Sequence, residues 1–307
     1  MESVLRDFCL MTLAALFACV VVVADVSGAD GDASRYAGLR RSTYSWEDKK
    51  PKLCRDNAWW AGKARKFAAS LSGNGVLFQP VVIEIVSIYL DNGHCEMEFA
   101  QPKGIAKPKG VDFFNPKASI NHEKALSVYD EMGVKAIIQI EPGDADVAEC
   151  LELVHAAFGK HPCVIGYGVD AEWYRTKGSK KNEGTPIADA DAKLWMEKVI
   201  AFGTKYTLFL KHWDTSHMPP TFRHHNLWFL SDSQQFGNLK GLIDDFSDWG
   251  KHYRKQTVGF QFGYPEDSKW WRKLSKPTRD ISLALIKEIP NAKYLFWVDF
   301  TAPNVEF

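Results

Sequence analysis

The run Cys163-Val-Ile-Gly-Tyr-Gly-Val-Asp-Ala-Glu-Trp-Tyr174 closes on two carboxylates and two aromatic rings. Side chains alternate between faces along a strand. Read as a strand, the run puts Ile165, Tyr167, Val169 and Ala171 on one face and Gly166, Gly168, Asp170 and Glu172 on the other. Two acids on one face can divide the work of acid catalysis, one holding a proton and the other a negative charge. A salt-bridged structural pair is the competing reading, since structural ion pairs perturb carboxylates in the same way.

Other segments end similarly. Residues 81–89 carry Glu84 and end at Tyr89, 134–140 runs into Glu141, and 206–211 ends in Lys211 with Asp214 close behind. Residues 227–230 lead to Asp232 and Gln234, 257–262 contains Gln261, and 294–298 leads to Asp299. Trp173, Trp213, Tyr264, Trp270, Trp271 and Trp297 are interleaved with these groups, whereas Trp59 or Trp60 and Trp195 are assigned to the core. Glycosidic cleavage needs an acid for the leaving oxygen and a group that stabilises an oxocarbenium-like centre, and flat rings match pyranose faces. The expected partner is therefore a carbohydrate polymer or glycan. Glu141 and Glu172 together form an alternative carboxylate pair, and a binder that keeps the rings without turnover is a third possibility.

These strands alternate with helical patterns near 122–132, 146–158, 189–202, 239–253 and 277–289, which indicates βαβ units and a parallel sheet. Polar groups at nearly every strand end favour a closed (β/α)8 TIM barrel, because an open doubly wound sheet gathers them at one switch point. Residues 81–89 read as the first strand, and the second lies at 95–99 or around 111–114. An eighth strand is expected beyond the seven that are readable. Asn57 is the expected N-cap of a helix over 57–71, which would cover the bottom of the barrel or the gap after its last strand.

Residues 1–29 read as a signal peptide: Arg6, an apolar run over 9–24, then Ser27-Gly28-Ala29. That run is shorter than the roughly 20 residues of a membrane span, so a secreted chain with no membrane contact after cleavage is expected. Residues 30–75 read as an exposed N-terminal extension with one helix, and 76–307 as the barrel. Lys plus Arg and Asp plus Glu both number 38, and loss of Arg6, Glu2, Asp7 and Asp25 with the leader leaves +2. A nucleic-acid binder would show a basic excess, so none is expected. Cys54, Cys95, Cys150 and Cys163 remain, without a CxxC pair, and three disulfide connectivities are open. His212, His217, His224 and His225, with Asp214, fit no compact ligand motif and read as a solvated loop. His94, His122, His155, His161 and His252 read as surface or capping residues. No metal or cofactor is expected, and the chain is expected to be a monomer.

The stretch Gly166-Tyr-Gly-Val-Asp-Ala-Glu-Trp173 resembles the fourth-strand signature DGxDxDxE of family 18 glycoside hydrolases, the chitinases and their relatives. The resemblance implies that Glu172 protonates the glycosidic oxygen and that Asp170 orients a substrate N-acetyl group, on β-linked N-acetylglucosamine-type glycans. Phe229-Leu-Ser-Asp232 is similar to the family's Met-x-Tyr-Asp, which places Asp232 near that acetamido group, and Trp297 resembles the tryptophan beneath the reacting sugar. Ile165 and Gly168 stand where the family has Asp, and Ser231 where it has Tyr. Without an acid at 168, Asp170 is expected to ionise more easily and to take Lys211 as its partner.

Overall fold

The computed structural model describes residues 34–43, 56–73, 76–113, 121–176 and 183–307. The expected signal peptide and Cys54 lie outside the described residues. The chain opens with β1 (Arg35–Arg41), α1 (Asn57–Leu71) and β2 (Phe78–Ile85). A small sheet follows, made of β3 (Ser87–Tyr89), β4 (Cys95–Met97) and β5 (Val111–Phe113) in the order β3-β4-β5. Regular alternation then runs through α2 (His122–Met132), β6 (Lys135–Ile140), α3 (Val147–Phe158), β7 (Val164–Asp170), α4 (Asp189–Phe202), β8 (Thr207–Lys211) and β9 (Leu227–Ser231). It ends with α5 (Leu239–His252), β10 (Val258–Phe262), the short α6 (Ser268–Trp271), α7 (Pro277–Glu288) and β11 (Ala292–Trp297). Strands β1, β2, β6, β7, β8, β9, β10 and β11 pair in parallel and close on themselves through β11 and β1. The chain folds as a (β/α)8 barrel.

The first quarter of the chain departs from expectation. Residues 35–41 form the first barrel strand, paired along its length with β2 and with β11, so the supposed extension is the first βα unit of the barrel. Its sequence, RYAGLRR, looks solvent-bound. The strand is buried because Arg40 and Arg41 find buried acids in Asp299 and Glu84. Residues 81–89 split between β2, the second strand, and β3, and both candidates for the second strand belong to the small sheet. From β6 onward the expected strand order stands, so Asp170 closes the fourth strand. Helix α1 is capped by Asp56, whose carboxylate accepts from the Trp59 amide at 2.6 Å, while Asn57 accepts from Arg41 at 2.9 Å. That helix packs on β1, β2, α2 and α7. Phe307 lies against Phe67 at 5.5 Å and Trp297 at 6.5 Å, covering the outer surface after β11.

Two apolar layers follow from strand alternation. Val81, Ile83, Ile85, Ile137, Phe209, Trp228, Leu230, Tyr294 and Phe296 fill the barrel interior, and the larger cluster lies between strands and helices. Along β7 the register against β6 shifts between Val164 and Gly166. This irregularity turns Ile165 toward the interior cluster, whereas Tyr167 and Val169 stay outside. Gly168 faces inward, and a methyl group there would lie 2.0 Å from the Phe209 ring. The ring thus fills the space an acid at position 168 would need. Among the described residues no helix is long and apolar enough to cross a membrane.

Candidate active site

Three neighbouring strand ends build the centre. Asp170 is the last residue of β7 and lies in register with Lys211, the last residue of β8, while Asp232 directly follows β9. Lys211 Nζ lies 2.8 Å from Asp170 Oδ2, 2.9 Å from Glu172 Oε1 and 2.5 Å from Asp232 Oδ2. One ammonium contacts all three acids. Beyond β7 the chain makes a single tight turn, Ala171–Trp173, whose Glu172 amide donates to Asp170 Oδ1 at 3.3 Å. Asp170 therefore aims Glu172 as well as holding Lys211. Gln139 of β6 donates to Asp170 Oδ2 at 3.2 Å from the other side.

Exposure separates the acids. The Asp170 side chain is 2 % exposed and that of Glu172 15 %. Glu172 and Asp232 open onto a cavity of about 400 Å³ that is also lined by Trp213, Ser233, Gln234 and Gln235. Trp213, at 44 % exposed, is an aromatic surface offered to solvent beside the two acids. It is braced from behind by His212, whose ring lies 5.2 Å away. His212 is wholly buried and not part of a solvated loop: Nε2 donates to the Glu183 carbonyl at 2.9 Å, and Nδ1 accepts from the Asp214 amide at 2.8 Å. Burial pushes its pKa down to about 4, so the ring is neutral. Gln235 holds φ of +69° on the cavity wall, a left-handed conformation that non-glycine residues rarely adopt.

The charges sort themselves by environment. Burial, then the charges of Asp232 and Asp170, drive the Glu172 pKa well above the ordinary carboxylate range, against the pull of Lys211. At Asp232 burial acts upward, but Lys211 and a hydrogen bond with Glu172 outweigh it and leave that acid below its usual value. The proton therefore resides on Glu172 and the negative charge on Asp232. Asp170 does pair with Lys211, while burial raises its pKa to about 6. Lys211 is weakened by burial and strengthened more by its three acids, with the net shift well upward. The ammonium is a permanent charge here.

The remaining expected site residues fall into two groups. Glu141 is 1 % exposed and accepts from the Tyr89 amide at 3.1 Å. Gln261 and Tyr264 are buried beside the centre, the tyrosine hydroxyl donating to Gln261 Oε1 at 3.2 Å. Burial, reinforced by Asp232, holds that hydroxyl protonated. Asp299 accepts from Arg40 at 3.2 Å and from the Ser42 amide and hydroxyl at 2.8 and 2.6 Å, so it anchors the end of β1. Trp297 is not a floor beneath the cavity. Its ring belongs to the outer layer, 5.2 Å from Trp271, and its indole donates to Thr301, because β11 directs Phe296 inward and Trp297 outward. Trp271 is buried in the same layer, and Trp270 donates to Asp267 rather than lining the cavity. Glu84 likewise faces outward, into a buried cluster with Arg41 at 3.4 Å, His122 at 2.8 Å and Tyr129 at 3.0 Å. His122 is thus a core residue rather than a surface one, and so is His161, which sits 2.6 Å from Asp130.

Arg40 and Gln139 are the functional neighbours that reading strand ends missed. Gln139 was accessible, since it lies two residues before Glu141 on the same face. Arg40 was not, because nothing local marks RYAGLRR as a buried strand. Among the described residues no group of three or more His, Cys, Asp or Glu side chains is arranged to hold a metal ion.

No protein-family model matches this sequence, and no curated protein does. Among solved structures, similar ones include an endoglucanase from Pseudomonas stutzeri (TM-score 0.48, 11 % identity, 86 % of this chain and 85 % of that one). Endo-glycoceramidase II from Rhodococcus sp. in complex with a cellobiose-like imidazole is another (TM-score 0.43, 10 % identity, 86 % and 72 % covered). A β-D-glucuronidase from Dictyoglomus thermophilum is a third (TM-score 0.46, 10 % identity, 86 % and 43 % covered).

Proposed function

We propose that this chain is a secreted glycoside hydrolase that cleaves β-linked N-acetylglucosamine-type glycans, with Glu172 as general acid. One observation carries the reading: Glu172, Asp232 and the exposed Trp213 share one open cavity, and a single buried cation contacts both acids. A sugar ring stacked on Trp213 brings its glycosidic oxygen to Glu172, which donates the proton as the bond breaks. Asp232 accepts the N–H of the acetamido group, so that its carbonyl oxygen attacks the anomeric carbon and the product keeps its configuration. Asp170 does not line the cavity, so the role of orienting the acetamido group passes to Asp232, while Asp170 positions Lys211 and Glu172. All three acids touch the same nitrogen, and Glu172 and Asp232 also share a hydrogen bond, so the proton donor and the group that would hold the acetamido N–H lie side by side.

The test is release of a chromophore from a chitooligosaccharide glycoside by the purified protein and by Glu172→Gln. Turnover in the wild type that drops at least about 100-fold in the variant supports the assignment. Hydrolysis that survives in Glu172→Gln sinks it. Oligosaccharide binding by the wild type without turnover would instead identify a carbohydrate-binding barrel.

A further inference from the structure

Cys95 of β4 and Cys150 in the first half of α3 are 55 positions apart in sequence and meet in the wall beside the cleft. Both are fully buried, and their thiols lie within hydrogen-bonding reach of each other. The backbone enforces the meeting. The Asp144 amide donates to the Gly93 carbonyl at 2.7 Å, and the Cys95 amide donates to the Gly110 carbonyl at 2.8 Å. Gly110 in turn sits against Ala145, and Gly143 is packed so tightly on Gly93 that an added methyl would lie 2.3 Å from its carbonyl oxygen. The chain entering α3 is therefore clamped to the turn that leads into β4. Cys163, also buried, points elsewhere, its Sγ donating to the Leu126 carbonyl at 3.6 Å.

We propose that Cys95 and Cys150 are a modification site, closed as a disulfide that rivets the small sheet to α3. Two thiols give up two protons and two electrons to a small-molecule disulfide oxidant by thiol–disulfide exchange, forming one S–S bond and releasing two reduced thiols of the oxidant. Exchange takes place while the chain is still folding and the sulfurs are open to solvent. Once buried, the pair is shielded from further exchange, and the hydrogen bond with Cys95, then burial, raises the Cys150 thiol. The consequence reaches the cleft, because β3 pairs with β4 and carries Tyr89. The Tyr89 amide holds Glu141, and its ring stacks on Trp173, next to Glu172, at 4.9 Å. The bond fixes one rim of the site without touching the reacting groups.

The experiment is peptide mapping of the full chain refolded with oxidised and reduced glutathione, then denatured and alkylated without reductant. A disulfide-linked peptide pair joining Cys95 to Cys150, with Cys163 alkylated, is the expected result. A melting temperature lowered by several degrees when the chain is refolded in dithiothreitol, and unmoved by that treatment in Cys95→Ser/Cys150→Ser, is the second. Alkylation of both residues in the oxidised sample, or linkage of either to Cys54 or Cys163, overturns the proposal. The map is read on the wild-type chain and so stands even where the double variant folds poorly.

Discussion

Replacing Lys211 with Met tests whether one buried cation holds the site together. The substitution conserves much of the stem and removes the ammonium that three acids share at 2.5–2.9 Å. Breaking a buried ion pair from one side costs about 3–5 kcal/mol, because the partner charge is left uncompensated. For a domain of this size each kcal/mol moves the melting temperature by about 2–4 °C, so a fall of roughly 10 °C is expected at pH 7.5. The deficit must depend on pH in one direction. Asp170 already has its pKa raised to about 6 with the ammonium present, and Glu172 lies well above the ordinary range. Without Lys211 both move further up. Acids whose folded pKa exceeds the unfolded value cost nothing below the unfolded pKa and progressively more as pH rises toward the folded one. Circular-dichroism melts should therefore show a large loss at pH 7.5 that shrinks by half or more at pH 5. Lys211→Met/Asp170→Asn, with one acid fewer, should recover part of the loss at pH 7.5. Equal deficits at both pH values would mean lost packing instead of uncompensated charge, and would refute the argument.

Hydrolysis should follow a bell-shaped profile in kcat/KM. Its acid limb tracks Asp232, held below the usual carboxylate range, and its alkaline limb tracks Glu172, held well above it; activity that still climbs from pH 7 to 9 would put the proton elsewhere. Gly168→Ala drives a methyl into the Phe209 ring, 2.0 Å from its tip, and should cost about 1–3 kcal/mol. Adding Phe209→Leu should return most of that in a urea titration, and an unchanged midpoint for Gly168→Ala would show that the ring does not hold this space. His122 gains Glu84 at 2.8 Å and Glu98 at 3.7 Å. Burial disfavours its charge, but these acids raise its pKa on balance. Its contribution is complete below its unfolded pKa of about 6.5 and fades as pH climbs through the raised folded value. The melting-temperature gap between wild type and His122→Asn should therefore narrow from pH 6 to pH 9, and a widening gap would reverse the assignment.

Residues 134–299 were readable in sequence because hydrophobic period and polar strand ends are local properties. Val-Ile-Gly-Tyr-Gly-Val-Asp needs no distant partner to declare itself a strand with an acid at its end, and the βαβ rhythm around it fixes a parallel sheet. Between Arg35 and Phe113 the helix over 57–71 was legible, but the first barrel strand and the small sheet were not, for the opposite reason. Arg40 and Arg41 can be buried only because Asp299 and Glu84 wait 259 and 43 positions away, and no local pattern records that pairing. The same limit governs Trp297, whose inward or outward direction is set by register against β1 and β10. It governs the site too. Alternation alone put Asp170 and Glu172 on one face, but which acid keeps the proton depends on burial and on Lys211 arriving from the next strand. Strand chemistry is written in neighbours along the chain, whereas charge state is set by neighbours in space.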